Sequence, residues 1–248
     1  MEYPSLLEML KAGAHFGHRV SKRNPKMEQY IFGARNGVHI LNLEQTAEKL
    51  KEACEFVRDL VANGGVIVFV GTKNQATEII KKYATEAESP YVIKRWLGGT
   101  LTNFSQIRSR VKHYLDLKKK QATGGLEKYT KKEQLEFSRE IENLGEMYDG
   151  VVSLEKRPDA LFIVDIQKEK TAVREAKQTG AKIIAICDTN INPDLVDRCI
   201  PGNDDAVKSI ELFTRSIAEA VKEGRGIRAK NQKAAAEKVV KKMEEKKA

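Results

Sequence analysis

Apolar residues along this chain fall into two alternating rhythms, short unbroken runs and longer stripes spaced three to four apart. The run from Val66 to Val70 is wholly apolar and stands between Gly65 and Gly71, the pattern of a strand covered on both faces. Runs over 160–164 and 182–187 repeat it. Ahead of the first run, Ala47, Leu50, Cys54, Val57 and Val61 form a stripe that predicts a helix over 44–62, and further helices are expected over 74–86, 169–178 and 205–222. Strands that alternate with helices assemble as βαβ units. The fold class is therefore α/β, a Rossmann-like or flavodoxin-like parallel sheet flanked by helices.

Two segments depart from this rhythm. Residues 13–37 are rich in Gly, Arg, Lys and Asn and read as irregular backbone, between a short helix near Leu6 to Lys11 and a short strand over 38–43. In the middle of the chain, Phe104, Ile107, Val111 and Tyr114, then Phe137, Ile141, Leu144, Tyr148 and Val151, lie on two arms either side of Gly124 and Gly125. Each arm carries only a narrow seam, so an inserted antiparallel coiled-coil hairpin is expected over 104–154. Six basic residues and one acid on the first arm, from Arg108 to Lys120, face one basic residue and six acids on the second, from Glu133 to Asp149. Opposite charge favours that pairing. The expected organisation is an α/β domain from 1–103 and 155–223, the hairpin at 104–154, and a basic, flexible tail at 224–248.

Charge narrows the function classes. The net charge of +9 favours polyanionic partners, although the last 27 residues carry +6 of it. A hydrophobic content of 41% excludes a disordered chain. Cys54, Cys187 and Cys199 have neither CxxC nor His-rich spacing and read as buried thiols in a reducing cytosol. No apolar run is long enough to span a membrane, and the start at Met1 lacks a signal-peptide pattern, so a cytoplasmic protein is expected.

Catalytic chemistry finds little support. Gly71-Thr72-Lys73 follows a strand but lacks the glycine spacing of a phosphate-binding loop, so it reads as a plain β-to-α turn. His15, His18, His39 and His113 accompany no nucleophile motif. Asp165 and Asp188 end two predicted strands, and Asp204 and Asp205 precede the last helix, so acids gather at the carboxyl edge where open α/β sheets bind ligands. Asp188, Asp204 and Asp205, with His18 if the N-terminal segment folds back, are candidate ligands for a structural Mg²⁺ or Zn²⁺. Helix capping by Asp204 or Asp205 and a turn closed by Asp188 explain the same residues. A metal-dependent phosphohydrolase using Asp165, Asp188 and Asp204 is the alternative function. It lacks a nucleophile or general base.

Nucleic-acid recognition is better supplied. Arg19, Lys22, Arg23, Asn24 and Lys26 fall within eight residues, and Arg95, Trp96, Asn103 and Arg108 surround a Gly-Gly turn. Cations of this kind bind phosphate, while aromatic and guanidinium planes stack on unpaired bases. Seven blocks then appear in order: 15–18, 24–26, 30–37, 69–73, 95–104, 188–190 and 200–206. Together they resemble the signature of the small-subunit ribosomal protein two family, of bacterial type. The resemblance implies an α/β fold with a protruding hairpin and no enzymatic activity. It further implies docking on small-subunit 16S-type rRNA beside other ribosomal proteins, including the large ribosomal protein one, which members help to recruit. Neither a membrane nor a small-molecule substrate is expected as a partner, and no cofactor is required.

Overall fold

A computed structural model describes residues 3–126 and 128–245. Five strands, β4 (Ile67–Val70), β5 (Tyr91–Val92), β6 (Ala160–Ile163), β7 (Lys182–Cys187) and β8 (Arg198–Pro201), form one parallel sheet in the order β5-β4-β6-β7-β8. In chain order this is 2-1-3-4-5, the flavodoxin-like arrangement, whose direction reverses between β4 and β6. Successive side chains of a strand point to opposite faces, and both faces are covered, which is why β4 and β6 are apolar throughout. Phe69, Phe162, Ile184 and Ile200 pack against α2 (Leu43–Ala62), α3 (Asn74–Glu86) and α7 (Val207–Glu245). Val68, Val70, Leu161 and Ile183 pack on the other side with α6 (Lys170–Thr179) and the loop of Trp96 and Leu101.

The segment expected to be irregular carries a second sheet. Strands β1 (Phe16–Arg19), β2 (Ile31–Arg35) and β3 (Val38–Leu41) pair antiparallel in the order β1-β3-β2, after α1 (Leu6–Ala12). Two 3₁₀ turns, Val20–Lys22 and Pro25–Tyr30, link β1 to β2. Register shifts in both pairings, and the short polar strands, hide the two-residue period.

Helices α4 (Phe104–Ala122) and α5 (Lys131–Tyr148) pack chiefly on each other as a helical hairpin. Early α4 meets the end of α5: Tyr114 Oη donates to Asp149 Oδ1 at 2.7 Å, and Arg108 Nη1 to the Leu154 carbonyl at 2.6 Å.

The last helix crosses the expected boundary at 224. Helix α7 runs unbroken from Val207 through it to Glu245, where a helix ending at 222 and a flexible tail were expected. Gly224 allows α7 to lie against α2, since a Cβ there would come 2.5 Å from the Arg58 carbonyl oxygen. Arg225 adds a hydrogen bond of 2.7 Å to Glu88 Oε2. Residues 246–248 of the expected tail lie outside the described residues.

Candidate nucleic-acid interface

The strand ends bring one acidic cluster together at the carboxyl edge of the sheet. Asp165 follows β6, Asp188 follows β7, and Asp204 and Asp205 follow β8. Lys73, at the start of α3, reaches into their midst: its Nζ lies 2.6 Å from Asp205 Oδ1, 3.0 Å from Asp204 Oδ1 and 3.4 Å from Asp165 Oδ2. The Gly71 to Lys73 turn thus holds no phosphate cradle, and its lysine serves the acids. Although burial opposes charge on Lys73, its hydrogen bond to Asp205 and the charge of Asp204 hold its ammonium above the ordinary range. Asp204 is 2% exposed, and burial, then the charge of Asp188, push its carboxyl up to about 7. Lys73 divides its charge among three carboxylates, so its pull on Asp204 does not offset burial.

The N-terminal segment folds back over this edge. His18 donates its main-chain N–H to Thr189 Oγ1 at 2.9 Å, and its Nδ1 lies 2.9 Å from Asp188 Oδ2. That hydrogen bond raises the His18 pKa against the effect of burial. A residue larger than Gly17 is excluded, because a Cβ there would sit 2.5 Å from Thr189 Cγ2. Farther along, the Asn24 N–H donates to the Thr189 carbonyl at 2.8 Å, and the Asn203 N–H to the Ala14 carbonyl at 3.1 Å. His18, Asp188, Asp204 and Asp205 each offer a donor atom within 4.8 Å of the others. Asp165 is outside this group and pairs with Lys73 instead. Asp188 closes its turn through its main-chain carbonyl, which accepts from the Ile191 N–H at 3.1 Å. The expected cap by Asp204 or Asp205 is corrected: Asn203 Oδ1 accepts from the N–H groups of Asp205 and Ala206 at 2.9 and 3.2 Å.

A second buried carboxylate organises the Gly-Gly turn. Glu175 of α6, 6% exposed, accepts through Oε1 from Trp96 Nε1 at 3.3 Å and the Gly99 N–H at 2.8 Å. Its Oε2 accepts from the Leu101 N–H at 2.9 Å and from the Thr102 N–H and hydroxyl, both at 3.4 Å. Trp96 is therefore core, 5% exposed, and its expected role as a stacking surface is corrected. Arg95 and Asn103 remain at the surface of this loop. Arg108 is half-buried on the Leu154 carbonyl, so its guanidinium fastens the hairpin base.

The basic loop divides likewise. Arg23 pairs with Glu28 at 3.1 Å and Lys26 with Asp194, while Asn24 Oδ1 caps a 3₁₀ turn by accepting the Lys26 N–H at 3.0 Å. Arg19 and Lys22 are exposed and have no such partner among the described residues. Sequence reasoning missed Lys73 and Glu175 as organisers. The position of Lys73 directly after a strand was a signal for the first; no local signal marks the second.

Comparison with known proteins matches residues 9–224 to the family described as Ribosomal protein S2. A protein named small ribosomal subunit protein uS2 from Roseiflexus castenholzii is 49% identical over 224 residues, covering 90% of this chain and 85% of its own. Its namesakes in Coprothermobacter proteolyticus and Wolinella succinogenes are 48% and 45% identical, over 91% and 95% of this chain and 84% and 87% of theirs. That likeness removes the phosphohydrolase alternative, and it places the protein on the ribosome in the cytoplasm. With its flavodoxin-like sheet, the chain belongs to the ribosomal protein S2 family, structural and non-enzymatic proteins of the small ribosomal subunit.

Proposed function

We propose that this chain binds small-subunit rRNA through the folded-back N-terminal segment and the loop of Arg95, as a fixed scaffold without chemistry. The carrying observation is that Arg19 and Lys22 are exposed, with no partner among the described residues, on a segment tied to the sheet edge through His18 and Asn24. Cations held at fixed spacing neutralise phosphates and release counterions, so association weakens steeply with salt. The test is a salt titration of binding to small subunits stripped of this protein. Replacing Arg19 and Lys22 with Ala lowers the log–log salt slope by roughly one unit per lost phosphate contact. An unchanged slope removes the loop from the interface. Recruitment of the large ribosomal protein one, the finer part of the role, rests on the family resemblance alone.

The acidic cluster supports a structural divalent cation. Three acids and an imidazole within 4.8 Å of one another suit such an ion, and a His ligand favours Zn²⁺ over Mg²⁺. It would join the N-terminal segment to the strand ends and share Asp204 and Asp205 with Lys73. Elemental analysis of the purified protein beside an Asp188→Asn, Asp205→Asn variant decides the matter: equal metal in both, or none in either, removes the site.

A further inference from the structure

Gly98 stands on the exposed crest of the Lys94 to Asn103 loop, and nothing in its own fold asks for a glycine there. A Cβ built on it meets no atom within 4 Å, and its φ lies outside the left-handed region. Its neighbour Gly99, with φ of 93°, does need to be glycine. The Thr100 N–H donates to the Leu97 carbonyl at 3.1 Å, closing a turn of the type II kind, whose second position takes ordinary residues. Gly98 occupies that second position. Gly33 and Gly226 are equally open, Gly33 at a register shift in β2 that accounts for it, so openness alone does not single out Gly98 and the groups around it must.

The loop is also rigid. Glu175 holds it from beneath at Trp96, Gly99, Leu101 and Thr102, and the Asn103 N–H donates to the Gly99 carbonyl at 2.8 Å. A glycine that weakens a rigid loop without serving its conformation points to something outside the chain that comes too close for a side chain. Around the crest, Arg95 is exposed with no hydrogen bond or ion pair among the described residues. The Asn103 side chain makes no cap to α4, although it occupies the N-cap position. Beyond it α4 presents Arg110 and Lys112, both exposed. A cation, a carboxamide whose Oδ1 accepts from the Ser105 hydroxyl at 3.3 Å while its NH₂ has no partner among the described residues, and bare main chain match a polyanion whose backbone lies against the loop.

We infer that Gly98 is a close-contact point where the rRNA sugar–phosphate chain rests directly on the protein main chain, flanked by Arg95 and Asn103. The inference rests on the rRNA-binding reading above. Glu175 acts through the loop as a positioning residue, because it sets the height and angle of the crest without reaching the surface.

The experiment compares the full chain with Gly98→Leu, and with Gly226→Leu as control, since Gly226 is also open but lies far along α7. Each is assayed for thermal melting and for binding to small subunits stripped of this protein. Gly98→Leu is expected to melt with the parent yet bind roughly tenfold more weakly or worse, the effect of about 1.4 kcal/mol. Gly226→Leu should bind as the parent does. An iron chelate tethered at Ser105→Cys in a Cys199→Ser background should cut rRNA strands in the reassembled subunit. Parental binding by Gly98→Leu, or a fall in its melting temperature, overturns the inference while leaving the rRNA reading intact; tethered radicals that cut no rRNA overturn the inference and the part of that reading assigned to the loop of Arg95. Failure of the unaltered chain to bind overturns that reading and the inference together.

Discussion

Two buried carboxylate sites anchor the surface loops of this molecule, and they are satisfied in opposite ways. Glu175 is met by hydrogen-bond donors of a single loop, three of them main-chain N–H groups, and by no cation among the described residues. Asp204 is met by an ammonium that also serves Asp165 and Asp205, in a cluster where Asp188 adds like charge. Main-chain donors fix a carboxylate in one geometry and make it a structural pin. A shared cation leaves the cluster short of positive charge, and therefore responsive to protons and to metal.

The largest effect should come from removing the shared cation. Lys73→Met leaves Asp204 buried beside Asp188 without compensation, and breaking a buried pair from one side costs about 3–5 kcal/mol. Urea unfolding at pH 8 and at pH 5.5 measures it. The loss should be greater at pH 8, where Asp204 must be ionised; equal losses would mean that Lys73 contributes packing rather than charge.

Glu175→Ala should come next, at about 2–3 kcal/mol, since buried donors lose their acceptor but the rim of the loop lets water reach some of them. Urea titration checks it, and a loss as large as that of Lys73→Met would erase the distinction between the sites.

Protons offer a finer test. The Asp204 carboxyl titrates at about 7 in the fold against an ordinary value of 3.8, so the native state keeps a proton that the unfolded chain has released. Stability from this group is full below the unfolded value and is lost as pH rises through about 7. His18, whose folded pKa is also raised, contributes stability below its ordinary 6.5 that is lost as pH rises through its folded value, so both groups act in the same direction. In chelator-treated protein, stability should fall between pH 4 and 7 by on the order of 2 kcal/mol, and Asp204→Asn should flatten most of that fall. A slope unchanged by Asp204→Asn would place the titration elsewhere.

How much of this was legible depends on how locally each feature is encoded. The strand run at Val66 and the stripe of α3 announce themselves because both faces of a buried strand, or one face of a helix, repeat within a dozen residues. Strands β5 and β8 escape because two residues, or an Arg-Cys-Ile-Pro sequence, carry no period. Asp188, Asp204 and Asp205 were legible as neighbours, since parallel strands must end at one edge, whereas His18 joined them only on the condition that the N-terminal segment folds back. Glu175 was not, because its donors lie 73 to 79 residues away and α6 offers no local reason for a buried acid. Arg23, Lys26 and Arg108 look from the sequence like free cations, and only tertiary placement supplies Glu28, Asp194 and the Leu154 carbonyl.

The smallest effect is expected from the hairpin, whose cohesion is local where the two carboxylate sites are not. Excising residues 115–144 with a short Gly-Ser bridge removes Leu117, Leu126, Phe137, Ile141 and Leu144, apolar residues of both hairpin helices and the turn between them. It spares Ile107, Val111, Tyr114, Tyr148, Val151 and Leu154 at the base, together with the Tyr114 to Asp149 and Arg108 to Leu154 hydrogen bonds. A self-contained seam contributes little to unfolding of the sheet, so the shortened chain should stay within about 1 kcal/mol of the parent and unfold in one cooperative step. Lys73→Met should keep its larger loss at pH 8 in it. Loss of cooperativity, or a fall approaching that of Lys73→Met, would make the hairpin part of the main core.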